Sequence, residues 1–228
     1  MSSFLQTIDD LLRGAHTRRD DVQKGEIPIE VGRLLTAVGL LGLTYGAFMG
    51  LYAVMRGGEG SVRQLGSAML KVPLLFLLTL LVTFPSLYVF SALAQSRLTF
   101  TTTLRLLLAA MTVNMALLAS FGPVTGFFTL STESYPFMVV LNVIFFSVSG
   151  LVGLNFLGKA LSGLFEAGAT PESRVFHIWT FIYAVVGAQM GWILRPFIGD
   201  PGSPFELFRI RQGNFFIAAW DAMWNLFR

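Results

Sequence analysis

Five stretches of twenty or more residues, about Leu34–Met55, Val72–Ala94, Leu104–Leu130, Phe137–Phe165 and Val175–Leu194, run through this chain with only two basic residues and no acidic one among them. A helix needs about 20 apolar residues to cross the ~30 Å hydrocarbon layer of a bilayer. Hydrocarbon offers no hydrogen bonds, so a segment that crosses it must satisfy its own backbone, which an α-helix does. The pattern predicts an all-α, polytopic membrane bundle of five transmembrane helices. Soluble domains carry about 25% charged residues; this chain has 13%, against 54% hydrophobic residues and a mean hydropathy of +0.67.

The charged residues collect in the breaks and at the two ends. Residues 1–33 form an N-terminal amphipathic helix and polar linker, 34–198 the five-span domain, and 199–228 a Gly/Pro-rich exit with a C-terminal interfacial helix. Near the start, Phe4, Leu5, Ile8, Leu11 and Leu12 recur at helical spacing opposite Asp9, Asp10 and Arg13. Such a helix lies in the membrane interface, docks on a partner, or caps its own bundle. His16 to Asp21 reads as a solvated linker. At the far end Phe216, Trp220, Met223, Trp224 and Phe227 share one broad face beside Arg228, the pattern of a helix lying on the bilayer surface.

Within the spans the informative residues are small, or are prolines. Span one carries Gly39, Gly42, Gly46 and Gly50, and span five carries Gly187 and Gly191. Lipid tails are as apolar as leucine, so helices associate in a bilayer where small residues admit close backbone approach. These G-x-x-x-G faces predict helix packing, within the chain or between chains, with span one as the expected partner of span five. Residues 61–70 are expected as a short separate helix ahead of span two. Pro73 then falls at that span's start, where its missing N–H is harmless. Pro85 is expected to kink span two, with the hydroxyls of Thr83 and Ser86 near the carbonyl it frees. In span three Gly122-Pro123 marks a second break, either a bend or a re-entrant piece. Ser134 is a candidate N-cap for span four, and Asn142 and Asn155 there are expected to hydrogen-bond between helices.

The chemistry that the chain excludes is as informative. With no cysteine and two separated histidines, His16 and His177, no metal cluster or thiol chemistry is expected. Gly57-x-x-Gly60 lacks the Lys-Ser/Thr ending of a phosphate loop. No carboxylate falls inside a span, which argues against a proton relay. Lys plus Arg number 16 against 13 Asp plus Glu, for a net charge of +3, too little to indicate nucleic acid. No cofactor is expected and no catalytic constellation is visible.

Span five ends in Arg195-Pro196 and opens into Gly199-Asp200-Pro201-Gly202-Ser203-Pro204, which reads as an exit at the water boundary. Gln189, Trp192, Arg195 and Asp200 are the candidate contacts for a partner, a lipid head group or a solute. Against that stands an ordinary interfacial arginine followed by a proline-rich stop, with Asp200 pairing to Arg195 or closing the turn.

An amphipathic N-terminus followed by five closely spaced spans, Leu34 to Leu194, resembles the Yip-type five-span family. The resemblance implies a cytosolic N-terminus and a non-enzymatic, partner-binding role in organising membranes. It is one of architecture, and the Arg195-to-Pro204 exit has no counterpart in it. Basic residues divide nine to seven in favour of a cytoplasmic N-terminus, with the C-terminus opposite. The chain is thus expected to be a multi-pass accessory or scaffold protein that packs with other membrane subunits or with itself. The alternative is a small channel or transporter lined by spans two, three and five.

Overall fold

The computed structural model describes residues 4–14, 29–57, 59–93, 99–162, 171–200, 202–209, 213 and 215–226. The expected linker around His16, the Gln95–Arg97 connection, the loop after residue 162, Pro201, Phe227 and Arg228 lie outside them, as do the side chains of His177 and Met223. All regular structure among the described residues is helical: α1 (Phe4–Leu12), α2 (Val31–Arg56), α3 (Ser61–Leu93), α4 (Phe100–Ser120), α5 (Gly122–Ser131), α6 (Tyr135–Ser162), α7 (Pro171–Leu194) and α8 (Phe215–Leu226). Four segments, α2, residues 61–89 of α3, α4 with α5, and residues 135–160 of α6, are long and apolar enough to cross a membrane. Their length and composition point to an integral membrane protein.

Helix α2 is the centre. It packs on α3 to one side and on α4 and α5 to the other, while α7 adds to the outside of α3 and α6 to the outside of α4. The α2–α3 seam is the closest approach. A Cβ built on Gly46 would sit 2.6 Å from the Ala68 carbonyl oxygen and from Met69 Cα. One on Gly42 would sit 2.9 Å from Pro73 Cβ, and one on Gly50 2.8 Å from Leu65 Cα. Three glycines one turn apart therefore form a groove that receives Leu65, Ala68–Met69 and Pro73, themselves one turn apart. Gly39, the fourth in the series, has nothing within 4 Å and faces outward.

Several local expectations are corrected. Residues 61–70 are not a separate helix: they are the first turns of α3, which runs for 33 residues and holds both Pro73 and Pro85 in its interior. Nothing between Leu70 and Val72 breaks the helix, and Pro73 packs its ring on Gly42, where α2 has no side chain. Thr83 and Ser86 do not turn to the carbonyl that Pro85 frees. Thr83 Oγ1 donates to the Thr79 carbonyl at 2.7 Å and Ser86 Oγ to the Thr83 carbonyl at 2.6 Å. Gly187 and Gly191 of α7 meet α3, next to Thr79 at 3.6 Å and Leu75 at 3.4 Å, and not α2, whose glycine groove α3 already fills.

The break in span three is one residue wide. Phe121 keeps a right-handed helical conformation, its N–H is shared between the Leu117 and Leu118 carbonyls, and its own carbonyl accepts from Thr125 N at 2.9 Å. Pro123 sits in the first turn of α5, where its lack of an N–H costs least. Gly122 and Gly126 leave a notch on α5 that the Phe48 ring of α2 occupies. On the far flank, Gly153 of α6 makes room for Asn114 of α4, whose Cβ lies 2.9 Å from the glycine's Cβ position. Helix α1 packs on α4 with Leu11 buried, while Arg13 and Asp9 pair in the open at 2.9 Å.

Candidate functional site

Because α2, α4–α5 and α7 run one way and α3 and α6 the other, the end of α2, the start of α3, the α5–α6 turn and the end of α7 gather at one end of the bundle. Two polar assemblies stand there. In the first, Arg56 closes α2: its guanidinium pairs with Glu133 at 3.0 Å, donates to the Thr129 and Thr132 carbonyls at the end of α5, and lies 5.5 Å from the Tyr52 ring centroid. Basic groups are favoured at helix C-termini, where carbonyls go unpaired. Tyr52 donates to the Glu133 carbonyl at 2.7 Å, and Ser134 Oγ accepts from Phe137 N at 3.3 Å to cap α6. Two turns before Tyr52, buried Tyr45 donates to Asn142 Oδ1 at 2.6 Å, tying α2 to α6. Asn155, the other asparagine of α6, is exposed on its outer face.

The second assembly is the connection after α7. It folds back over the α2–α3 hairpin instead of leaving it. Its ends are joined by a bond from Arg209 N to the Arg195 carbonyl at 3.2 Å. Lys71, with only 3% of its surface exposed, donates from Nζ to the Pro196 carbonyl at 3.0 Å and to the Leu207 carbonyl, with the Phe208 ring centroid 5.1 Å away. Two turns earlier on α3, Gln64 Nε2 donates to the Pro196 and Phe197 carbonyls at 3.1 and 2.8 Å. Gly199 fits against Ala53 and Gln64, where a Cβ would lie 2.7 and 2.9 Å from their side chains. A cleft of about 20 Å³, room for one water, lies among Gln64, Gly199, Asp200, Ser203, Phe205 and Arg209.

Asp200 is not paired with Arg195. Its Oδ1 accepts from Gly202 N at 3.2 Å and its Oδ2 from Ser203 Oγ at 2.8 Å, an Asx turn. Its ionic neighbour is Arg209, at 3.8 Å, which also pairs with Glu206 at 3.1 Å. The Arg195 guanidinium carbon lies 3.1 Å from the Trp192 ring centroid, and the Arg195–Pro196 peptide is cis. The chain matches no protein-family profile, no curated protein and no solved structure. What can be said of the site therefore rests on its own geometry.

Trp192, Arg195 and Asp200 thus border one structure, the folded-back loop. At about 100° per residue Gln189 stands roughly 200° around α7 from Gly187, whose face meets α3, and shares the side of the helix that carries Trp192. The residues that hold the loop, Lys71 and Gln64, escaped the sequence reading. Lys71 reads as a boundary charge when residues 61–70 are taken as a separate element. The available signal was the unbroken helical spacing Gln64, Ser67, Lys71, which places all three on one side of α3. No group of three or more metal-binding side chains forms among the described residues.

Proposed function

We propose that the chain is a non-enzymatic, five-span membrane accessory or scaffold protein, with α7 as its fifth span and α1 and α8 lying in the interface at the two ends. The observation that carries this reading is that four polar side chains at the gathered end, Arg56, Gln64, Lys71 and Asp200, are engaged in holding the fold. Lys71 and Gln64 bond loop carbonyls, Arg56 closes α5, and Asp200 closes a turn. A fifth crossing by α7 is supported by its charge-free run Val175–Leu194, 20 residues or about 30 Å of helix. Exposed Phe216, Ile217, Trp220 and Trp224 support an interfacial α8. The N-terminus is cytoplasmic in this reading, in keeping with the basic residues ahead of α2 and with the Yip-type resemblance.

Gly42, Gly46, Gly50, Gly187 and Gly191 are filled from within and only Gly39 of that set is open, so a partner subunit or second copy needs another surface. The outer face of α6, where Ile144, Val148, Leu151 and Val152 are exposed around Asn155, offers the surface. Gentle extraction followed by native mass measurement tests this. A particle heavier than the 25.1 kDa monomer, reduced to monomer by Asn155→Leu with Leu151→Trp, is the expected result. A lone monomer, or solute flux through the purified protein in liposomes, would overturn the proposal.

A further inference from the structure

The connection after α7 has the chemistry of backbone placed in a membrane. The charge-free run Val72–Leu93 of α3 is 22 residues, about 33 Å of helix, enough for the ~30 Å of a hydrocarbon layer. Lys71 therefore stands at its edge. A lysine there ordinarily extends its amine outward to water; this one turns inward onto main-chain carbonyls. Irregular backbone is tolerated at membrane depth only where protein supplies its hydrogen bonds. Here Lys71 and Gln64 supply them to Pro196, Phe197 and Leu207. Pro196 and Pro204 have no N–H to satisfy.

The outer surface of the loop continues the same logic. Leu207 and Phe208 are 52% and 54% exposed. The Leu207 carbonyl is bonded to Lys71, whose neighbours Leu70 and Leu74 are exposed on α3; Arg209 is bonded to Arg195, two residues beyond exposed Ile193 on α7. Exposed Leu207, Phe208, Leu70, Leu74 and Ile193 thus stand on segments tied together by these bonds, with the exposed carboxylate of Glu206, paired to Arg209, beside Leu207 in the chain. We propose that the two ends of the 195–209 loop are seated in the bilayer, with Leu207 and Phe208 in contact with lipid and with Lys71 and Gln64 taking the place of water on its inner side, while its middle, Asp200 to Phe205, reaches the α2–α3 turn at Gly60 and the water. The proposal rests on the reading that α3 and α7 are spans.

The chain has no cysteine, so single-cysteine variants report without background. Four are compared in open membrane sheets with a charged maleimide: Leu207→Cys, Phe208→Cys, Leu81→Cys on the lipid side of α3, and Glu59→Cys in the exposed α2–α3 turn. Positions 207 and 208 are open on the protein itself, so shielding must come from outside it; making the four variants in the Leu151→Trp, Asn155→Leu background, in which the α6 face no longer pairs, leaves lipid as its source. Expected is loss of labelling at 207, 208 and 81, with full labelling at 59. Labelling of 207 and 208 at the Glu59→Cys rate, with 81 still shielded, would overturn the loop proposal alone. Labelling at 81 as well would overturn the span reading beneath it. Adding Lys71→Met to Leu207→Cys should restore labelling as the loop lifts; continued shielding there, or with Gln64→Leu added, would remove Lys71 and Gln64 from their role.

Discussion

Replacing Gly46 and Gly39 with alanine, one at a time, should move stability in opposite directions although both lie on α2. At Gly46 the new Cβ lies 2.6 Å from the Ala68 carbonyl oxygen and Met69 Cα, and ordinary contact begins near 3.4 Å, so the helices must part by about 0.8 Å. Both neighbours are backbone and cannot rotate aside. Parting them also lifts Pro73 from Gly42 and Leu65 from Gly50. Overpacking of this kind costs about 1–3 kcal/mol, and the better helix propensity of alanine returns at most about 1 kcal/mol. The net expectation is destabilisation of up to about 2 kcal/mol. At Gly39 nothing lies within 4 Å, so only the propensity gain remains, up to about 1 kcal/mol of stabilisation. Unfolding in mixed micelles of mild detergent and dodecyl sulfate, followed by tryptophan fluorescence, measures both. Equal shifts in one direction would refute the glycine groove as the principal seam of the bundle.

Tyr45→Phe removes the bond to Asn142 while keeping the ring against Phe146, and should cost about 0.5–1.5 kcal/mol in the same titration; no change would mean that the bond contributes nothing. Gly60 has φ +78°, and its Cβ position lies 2.6 Å from Phe205 Cβ, whereas Gly57 has φ +70° in open space. Gly57→Ala should therefore lose only the left-handed penalty of about 1–2 kcal/mol, while Gly60→Ala should lose more and raise protease cleavage within 202–209; equal effects would show that Phe205 does not depend on this contact. Asp200→Asn keeps Oδ1 as the acceptor from Gly202 N, puts an amide that must donate to Ser203 Oγ in place of Oδ2, and removes a 3.8 Å ion pair, so the shift should stay below about 1 kcal/mol. A larger loss, read from the same unfolding curve, would show that charge and not turn geometry holds that residue.

Hydropathy made the apolar helices legible because charge is nearly absent from them, and the glycine spacing made a packing face legible on α2. What spacing cannot supply is the face on the other side. Gly187 and Gly191 show that α7 has a narrow flank, yet α2 and α3 both offered a place for it, and only the filling of the α2 groove by Leu65, Met69 and Pro73 decides between them. Lys71 was hidden for a related reason. A basic residue at the edge of an apolar run looks solvated until a segment over a hundred residues later is seen to fold back on it. Asp200 could be read as far as its turn, which is local, but not to Arg209, whose approach depends on how the whole loop closes.

The return of the chain to its first hairpin has a bearing on the order of synthesis. Helices α2 and α3 emerge early and can meet through their glycine groove at once, but the acceptors for the Lys71 amine, Pro196 and Leu207, are made more than a hundred residues later. Until then a cation stands bare at the rim of the apolar layer. A chain truncated before residue 196 keeps that cation permanently, so the final segment acts as a seal that distinguishes a finished molecule from an interrupted one.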